Sequence, residues 1–240
     1  VTAAAAIENI DDIDNMNFHC DAEYLVDGNL VTCPRAHGEL DFSGALAVSC
    51  NGAFAEIALE LGGSTLQKYA EIAGFNSNLE LDGMKIASST VNTKNAKGAD
   101  LAWAGIGQYS NLANPLGYMA FAGAIANDGE MVYPSILGES KHSKRILSID
   151  TAQKLKSMMR NNVTSAYGED KYKGLEMAAK SGTAEVGGDK APHAWFVGFS
   201  EREDLPLAFV VIVENAGYGS QVAGPIAGKL LKAAEGKGPY

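Results

Sequence analysis

The spacing of apolar positions changes several times along the chain, and each change marks an element. Thr2 to Asn9 is a run of good helix formers with no capping residue before it, so it reads as the tail of a helix that begins further upstream. Residues 18–38 alternate and turn near Asp27-Gly28, the signature of a β-hairpin. Ser43 to Leu61 carries helical spacing in two pieces, broken around Ser49-Cys50-Asn51-Gly52. Leu66 to Ala73 is another amphipathic stretch, ended by Gly74. Residues 76–104 show no strong period and read as a long, loop-rich excursion, followed by a turn at Gly105-Ile106-Gly107-Gln108. Pro115 is placed to open a helix whose apolar spacing runs to Ala126, with Asn127-Asp128-Gly129 ending it. Ser148 caps a helix of about four turns through Arg160. Three strand candidates follow, Met177 to Glu185, Ala194 to Ser200 and Leu207 to Glu214; their short connections predict antiparallel pairing. Val222 to Ala234 closes the pattern as a helix, and Gly236 to Tyr240 is linker-like. No internal repeat or low-complexity tract interrupts this order.

Composition narrows the class. The 240 residues suffice for one large core. No run of about 18 apolar residues exists, and Val1 to Ile7 lacks the basic flank of a complete signal peptide. The formal net charge is −10, with Lys144-Arg145 isolated among spread acidic residues, which excludes a nucleic-acid surface. The three cysteines are Cys20, Cys33 and Cys50. The predicted hairpin brings Cys20 and Cys33 close enough to bridge, so a disulfide or plain thiols are expected. A metal site from His19, Cys20, Cys33 and His37 is the alternative, but that spacing matches no standard zinc module, and no metal is expected.

Two short motifs carry chemistry. Lys180-Ser181-Gly182-Thr183 places a glycine and two hydroxyls inside a predicted strand. Glycine weakens a strand interior, so it makes sense where another backbone must lie against that edge. The plain alternative is a solvated strand end. Ser49-Cys50-Asn51 lies at the break between two helices. Such a triplet arises about once by chance in a chain this size, and these polar residues could equally cap the second helix. Together, in this order and on these elements, the two correspond to the second and third motifs of a set that begins with Ser-x-x-Lys. Cys50 and Ser181 replace the usual middle residues.

On those motifs the chain resembles the transpeptidase domain of the high-molecular-weight, class B-like penicillin-binding proteins. Val1-Thr2-Ala3-Ala4-Ala5-Ala6-Ile7-Glu8 is similar to the stretch after the family's Ser-x-x-Lys. Gly105-Ile106-Gly107-Gln108, Asn114-Pro115-Leu116, Ala126-Asn127-Asp128-Gly129 and His193-Ala194-Trp195-Phe196-Val197-Gly198-Phe199 resemble further family blocks. The resemblance implies an α/β (α+β) fold, an antiparallel sheet flanked by helices, with three of the family's five strands in this chain. It implies a single transpeptidase domain over residues 1–240, truncated at its N-terminus.

The departure is the first motif. The sequence contains no Ser-x-x-Lys; Ser64 and Lys68 are one residue too far apart. Thr65-Leu66-Gln67-Lys68 and Thr151-Ala152-Gln153-Lys154 have the spacing but fall on plain amphipathic stretches. The resemblance therefore implies serine acyl transfer on peptidoglycan stem peptides ending in D-Ala-D-Ala, and acylation by β-lactams, with this fragment inactive. Ser49 would relay a proton to the leaving amine, with Lys180 holding that relay. Asn51 would hold the substrate amide. Ser181 and Thr183 would bind the substrate carboxylate, beside Gly182, and the Thr183 N–H would be half of an oxyanion hole. Trp195 and Tyr218 are candidates to line the cleft, and Gln108 is a weaker one. Glu185 and Glu214 read as solvated charges and His193 as a strand-edge polar residue. No cofactor is implied. The expected partners are stem peptides, β-lactams and either the upstream segment or a swapped copy, since missing strands would leave an edge open. The implied place is the cell envelope, at the outer face of the cytoplasmic membrane, with the membrane reached only through an absent N-terminal anchor. The rival readings are a serine β-lactamase, a β-lactam sensor domain, and a non-catalytic binding or structural remnant. The Asn of Ser49-Cys50-Asn51 and the Gly-Ile-Gly-Gln block favour the transpeptidase.

Overall fold

The computed structural model describes residues 1–138 and 142–236. All but the first residue of the linker-like run expected at 236–240 lies outside them. The described residues form two compact units, 1–117 with 135–138, and 118–134 with 142–236.

The first unit is built on helices. α1 (Thr2–Asn9) buries Ala3 to Ala6, and small side chains let it lie close to its neighbours. β1 (Asn17–Cys20) pairs antiparallel with β4 (Gly38–Asp41). Between them β2 (Glu23–Val26) and β3 (Asn29–Thr32) form the expected hairpin. Its turn has Asp27 and Gly28 both at positive φ, 49° and 78°, as a two-residue hairpin turn requires. α2 (Phe42–Ala47) is capped by the Asp41 carboxylate, which accepts the Gly44 N–H.

α3 (Asn51–Ile72) joins two stretches that the hydrophobic pattern separates. Gly62, at φ 75° and ψ 156°, is non-helical and divides α3 into two helical pieces across a kink. The next residue, Gly63, admits the backbone of a following loop, since a Cβ there would stand 2.1 Å from the Thr93 carbonyl oxygen. Thr93 answers by donating from its hydroxyl to Gly63 O (3.1 Å) and from its N–H to Gln67 (2.8 Å).

Residues 76–104 are more ordered than the pattern suggests. They contain a small hairpin, β5 (Leu79–Leu81) and β6 (Met84–Ile86), and a helix, α4 (Gly98–Gly105). α4 packs on α3 through Gly105, where a Cβ would meet the Ala58 methyl at 2.2 Å. A turn at 106–107 follows, and α5 (Pro115–Ala126) opens at Pro115 with Asn114 accepting the Leu116 N–H at 2.9 Å.

The second unit holds the sheet. β7 (Glu130–Val132) and β8 (Ser143–Arg145) form an outlying pair. α6 (Ile149–Asn161) starts as expected, Ser148 Oγ accepting the Thr151 N–H at 3.1 Å. It runs on into a π-helical turn, Asn162–Gly168, and a short 3-10 turn, Glu169–Tyr172. Then β9 (Met177–Ala184), β10 (His193–Ser200) and β11 (Ala208–Val213) pair antiparallel in the order β11-β10-β9, which bears out the three predicted strands. α7 (Gly219–Ala234) covers the sheet and begins three residues earlier than its apolar spacing indicates. Phe196 is fully buried at the centre, with the rings of Tyr167, Tyr172 and Phe209 at 5.4, 6.0 and 6.2 Å from its own. Stacks of this kind add to the burial of large apolar area.

Candidate active site

β9 is the edge of its sheet, and its chemistry follows from that position. Lys180 faces Val197 in register, Ser181 faces Phe196, Gly182 faces Trp195 and Thr183 faces Ala194. Along a strand, N–H groups point alternately to one neighbour and then to the other side. The Ser181 N–H points away from β10 and donates to the Tyr167 hydroxyl at 2.9 Å. Two residues on, the Thr183 N–H faces the same side. Both hydroxyls of this tetrapeptide are only half-buried, as is Lys180, whose ammonium donates to the Ser181 carbonyl at 2.8 Å.

Gly182 has a packing reason to be glycine. A Cβ there would approach Trp195 Cβ to 3.2 Å. Trp195 is half-buried across from it, and Tyr218 is 55% exposed just before α7. Behind the strand, Asn162 is fully buried and donates to Ala179 O at 2.8 Å, fixing the backbone one residue ahead of Lys180.

Tyr167 is the residue that sequence reasoning misses. Its hydroxyl takes the Ser181 N–H and lies 3.1 Å from Ser181 Oγ, so it sets both the strand edge and the hydroxyl rotamer. It reaches this position from the π-helical turn, whose widened spacing has no clear mark in the sequence.

The start of β9 is pinned by Arg160. Its guanidinium donates to Met177 O at 3.0 Å and, through two bonds of 2.6 and 2.7 Å, to the Glu169 carboxylate. Those two bonds hold the Glu169 carboxyl below the ordinary carboxylate range. A group depressed on folding contributes stability above its unfolded value, and the contribution is lost as pH falls through the folded value. Glu169→Gln is therefore expected to lower the melting temperature at neutral pH and to flatten the acid limb of the stability profile below about pH 4.3. Parallel acid limbs in thermal melts of the two proteins would show that the pair carries no such linkage.

Ser49 and Asn51 belong to the other unit. The chain passes from α2 to α3 through Val48, Ser49 and Cys50, and Ser49 is exposed with φ 57°, a conformation that costs a non-glycine residue energy. The capping alternative fails in detail. Cys50, not Ser49, occupies the N-cap position of α3, and it makes no side-chain cap bond. Asn51 is anchored to the hairpin: its amide donates to Thr32 O at 2.6 Å and its backbone N–H to Cys33 Sγ at 3.1 Å.

The remaining candidates fall as follows. Glu185 and Glu214 are exposed. His193 Nδ1 accepts the Asn215 N–H at 3.0 Å, a structural use at the end of β10. Gln108 lies in the turn after α4, its N–H bonded to Trp103 O at 3.0 Å. Thr151 is 2% exposed and accepts the Ser148 hydroxyl at 2.8 Å, while Lys68 lies over the Tyr69 ring, so neither threonine-lysine pair offers an open nucleophile site. The three cysteines are free thiols, so the Cys20–Cys33 bridge is not formed. His19 turns outward to Asp21 and Glu39, which also hold its ring above the usual imidazole range.

Comparison with known proteins gives the geometry a family. The chain is 29% identical over 211 residues to the peptidoglycan D,D-transpeptidase PbpA of Mycobacterium tuberculosis, a match covering 79% of this chain and 43% of that protein. It is 30% identical over 213 residues to PbpA of Mycolicibacterium smegmatis, with the same coverage. The chain thus spans under half the length of these relatives. A crystal structure of penicillin-binding protein A from M. tuberculosis, a ceftriaxone acyl-enzyme complex, superposes with a TM-score of 0.87 at 25% identity, covering 98% of this chain and 58% of that one. The D,D-transpeptidase domain from Eggerthella lenta superposes at 0.79, also at 25% identity, over 98% of this chain and 64% of its own. The family described as penicillin binding protein transpeptidase domain matches residues 2–232. With nearly the whole chain matched and the Lys180–Thr183 strand edge in place, this chain belongs to the penicillin-binding protein transpeptidase domain family.

Proposed function

We propose that the chain is part of a peptidoglycan D,D-transpeptidase and supplies the residues that bind and orient the stem peptide. The observation that carries this is the edge of β9, where the half-buried Ser181 and Thr183 hydroxyls lie next to Lys180 and the Thr183 N–H faces the side away from β10, the Ser181 N–H being held by Tyr167. A peptide's terminal carboxylate can be met there by hydroxyl donors and a positive charge.

The reaction has two halves. A serine attacks the penultimate D-Ala carbonyl, the tetrahedral oxyanion collapses, and the terminal D-Ala leaves with a proton on its nitrogen. An amine of a second stem then attacks the acyl-serine, giving the cross-link and returning the proton to the serine. In this scheme Ser49 passes the proton to the leaving amine and Lys180 supplies positive charge to the stem carboxylate. Asn51 holds the stem amide, Ser181 and Thr183 hold the carboxylate beside Gly182, and the Thr183 N–H stabilises the oxyanion. Trp195 borders the acyl chain. β-Lactams, which acylate the M. tuberculosis neighbour, enter as mimics of the stem terminus.

The nucleophile and its lysine are not in this sequence, so the chain as it stands is proposed to be inactive. Its partners are then the stem peptide, β-lactams and a polypeptide segment bearing Ser-x-x-Lys, with a swapped copy as the other way to cover an open sheet edge. The implied location is the outer face of the cytoplasmic membrane. Among the described residues no helix is long and apolar enough to cross a membrane.

The test is D-Ala release from a stem-peptide mimic by a chimaera in which a Ser-x-x-Lys segment of a mycobacterial relative is joined to this chain. Release is expected, and Lys180→Ala is expected to lower it by roughly two to three orders of magnitude, the scale of a lost electrostatic stabiliser. Hydrolysis of β-lactams with no release from the stem mimic would favour the β-lactamase reading instead.

A further inference from the structure

Three thiols and one imidazole converge at the base of the β2–β3 hairpin. Cys20 ends β1, Cys33 follows β3, His37 precedes β4 and Cys50 lies in the α2–α3 turn. Their four ligand atoms all lie within 4.8 Å of one another, and the three cysteines are buried. Cys33 Sγ is 3.9 Å from Cys50 Sγ, and Cys20 Sγ is 3.4 Å from His37 Nδ1. A zinc ion with Zn–S near 2.3 Å and Zn–N near 2.0–2.1 Å sets tetrahedral edges of about 3.8 Å between sulfurs and about 3.6 Å between sulfur and nitrogen. Both observed distances match those edges. The sulfur pair is far from the roughly 2.05 Å of a disulfide.

We propose that Cys20, Cys33, Cys50 and His37 form a closed, structural Cys3His zinc site that holds the Ser49–Asn51 turn against the hairpin. The site differs from the one the sequence spacing brings to mind: His19 is replaced by Cys50, which is 13 residues beyond His37 and on another element. Supporting chemistry surrounds the cluster. The Asn51 N–H donates to Cys33 Sγ at 3.1 Å, the kind of outer bond that orients a thiolate ligand. On binding a dication each ligating cysteine releases its proton to solvent and the ion balances the thiolates.

Because Asn51 and Cys50 are adjacent and Asn51 also bonds Thr32 O, the ion would tie the helix break, the end of β1 and the β3–β4 connection through four ligands on three segments. That gives the strained Ser49 backbone a rigid support on one side.

The experiment uses the chain purified under reducing conditions and loaded with zinc, then dialysed. About one zinc per chain is expected by elemental analysis. Cobalt(II) substitution is expected to give a sulfur-to-metal charge-transfer band and strong tetrahedral d–d bands. Removing metal with a chelator is expected to expose the cysteines to a thiol reagent and lower the melting temperature, and zinc return is expected to reverse both. His37→Ala and Cys50→Ser are expected to lose at least tenfold in zinc affinity, while His19→Ala keeps it. Should Cys50→Ser fail to fold, His37→Ala and the chelation arm still decide. Less than about one-tenth equivalent of zinc in the loaded wild type, a cobalt spectrum without the thiolate band, or zinc lost from His19→Ala but kept by His37→Ala would overturn the assignment. So would a chain that stays disulfide-bonded and zinc-free whenever it is folded.

Discussion

Incubated with benzylpenicillin, the 240-residue chain is expected to keep its intact mass. Acylation needs an activated nucleophile, and the sequence holds no Ser-x-x-Lys. The alternatives are poor for separate reasons. Ser49 is exposed, but Gly52 stands where a Ser-x-x-Lys would have its lysine. Thr151 is buried and engaged in a helix cap. Cys50 is buried and its thiol is pushed up to about 12, so almost no thiolate exists at neutral pH. Joined to a Ser-x-x-Lys segment, the same chain is expected to gain one benzylpenicilloyl group. The difference is close to all-or-none, because removal of a nucleophile costs far more than removal of one hydrogen-bond donor. An adduct on the unjoined chain would locate a nucleophile among its own residues, and peptide mapping would name it. That outcome would falsify the proposal of inactivity while leaving the family untouched. No adduct on the joined chain would instead show that Ser49, Lys180 and Thr183 do not serve the added serine.

How much of this was legible beforehand depends on where each signal lies. Ser148, Pro115 and the Asp27-Gly28 turn act through their own neighbours, and the structure has all three where local chemistry puts them. The three C-terminal strands were legible for the same reason. The loop-rich reading of 76–104 failed because its elements are short and half-exposed. β5 and β6 have three residues each, although their Asp82-Gly83 turn, at φ 51° and 84°, carried a hairpin signal. α4 is short, and its Gly105 serves a close approach to Ala58, a contact no window of sequence contains. The separation of the stretch ending at Leu61 from the one starting at Leu66 was legible, because Gly62 between them is non-helical at φ 75° and ψ 156°. At the candidate site, Lys180 to Thr183 stood out as an odd strand, but Tyr167 did not, because its use depends on a π-helical turn. Cys50 escaped the cysteine arithmetic because spacing rules describe ligands on one hairpin, whereas here a helix break delivers the fourth.

Gly219→Ala is expected to be among the most damaging single-methyl additions in the chain. Gly219 is the first residue of α7, and its Cα rests on the backbone of β9 and β10. A Cβ there would stand 2.1 Å from Trp195 O, 2.4 Å from Gly182 O and 3.0 Å from Gly182 N. These are main-chain atoms already fixed by the pairing of Gly182 with Trp195, so no flexible side chain can move aside. Relief requires α7 to lift from the sheet or β9 to shift at Gly182. Overpacking of this kind costs about 3 kcal/mol, the upper part of the usual range. For a domain of this size that lowers the melting temperature by roughly 6–12 °C. Gly123→Ala in α5 is the matched control. Its Cβ would meet the Ala208 methyl at 3.6 Å, an ordinary contact, and removing a helical glycine gains up to about 1 kcal/mol. Opposite shifts of the two variants in thermal denaturation are the expected result. The damage should also be local in function: in the chain joined to a Ser-x-x-Lys segment, Gly219→Ala is expected to slow benzylpenicillin acylation even below its melting range, because the displaced atoms belong to the Lys180–Thr183 edge. A Gly219→Ala protein that melts with wild type would mean that α7 has more freedom at its first turn than the packing against Gly182 and Trp195 allows. Normal acylation with a lowered melting point would separate the two roles, leaving Gly219 to hold the helix while the strand edge keeps its own geometry through Tyr167 and Asn162.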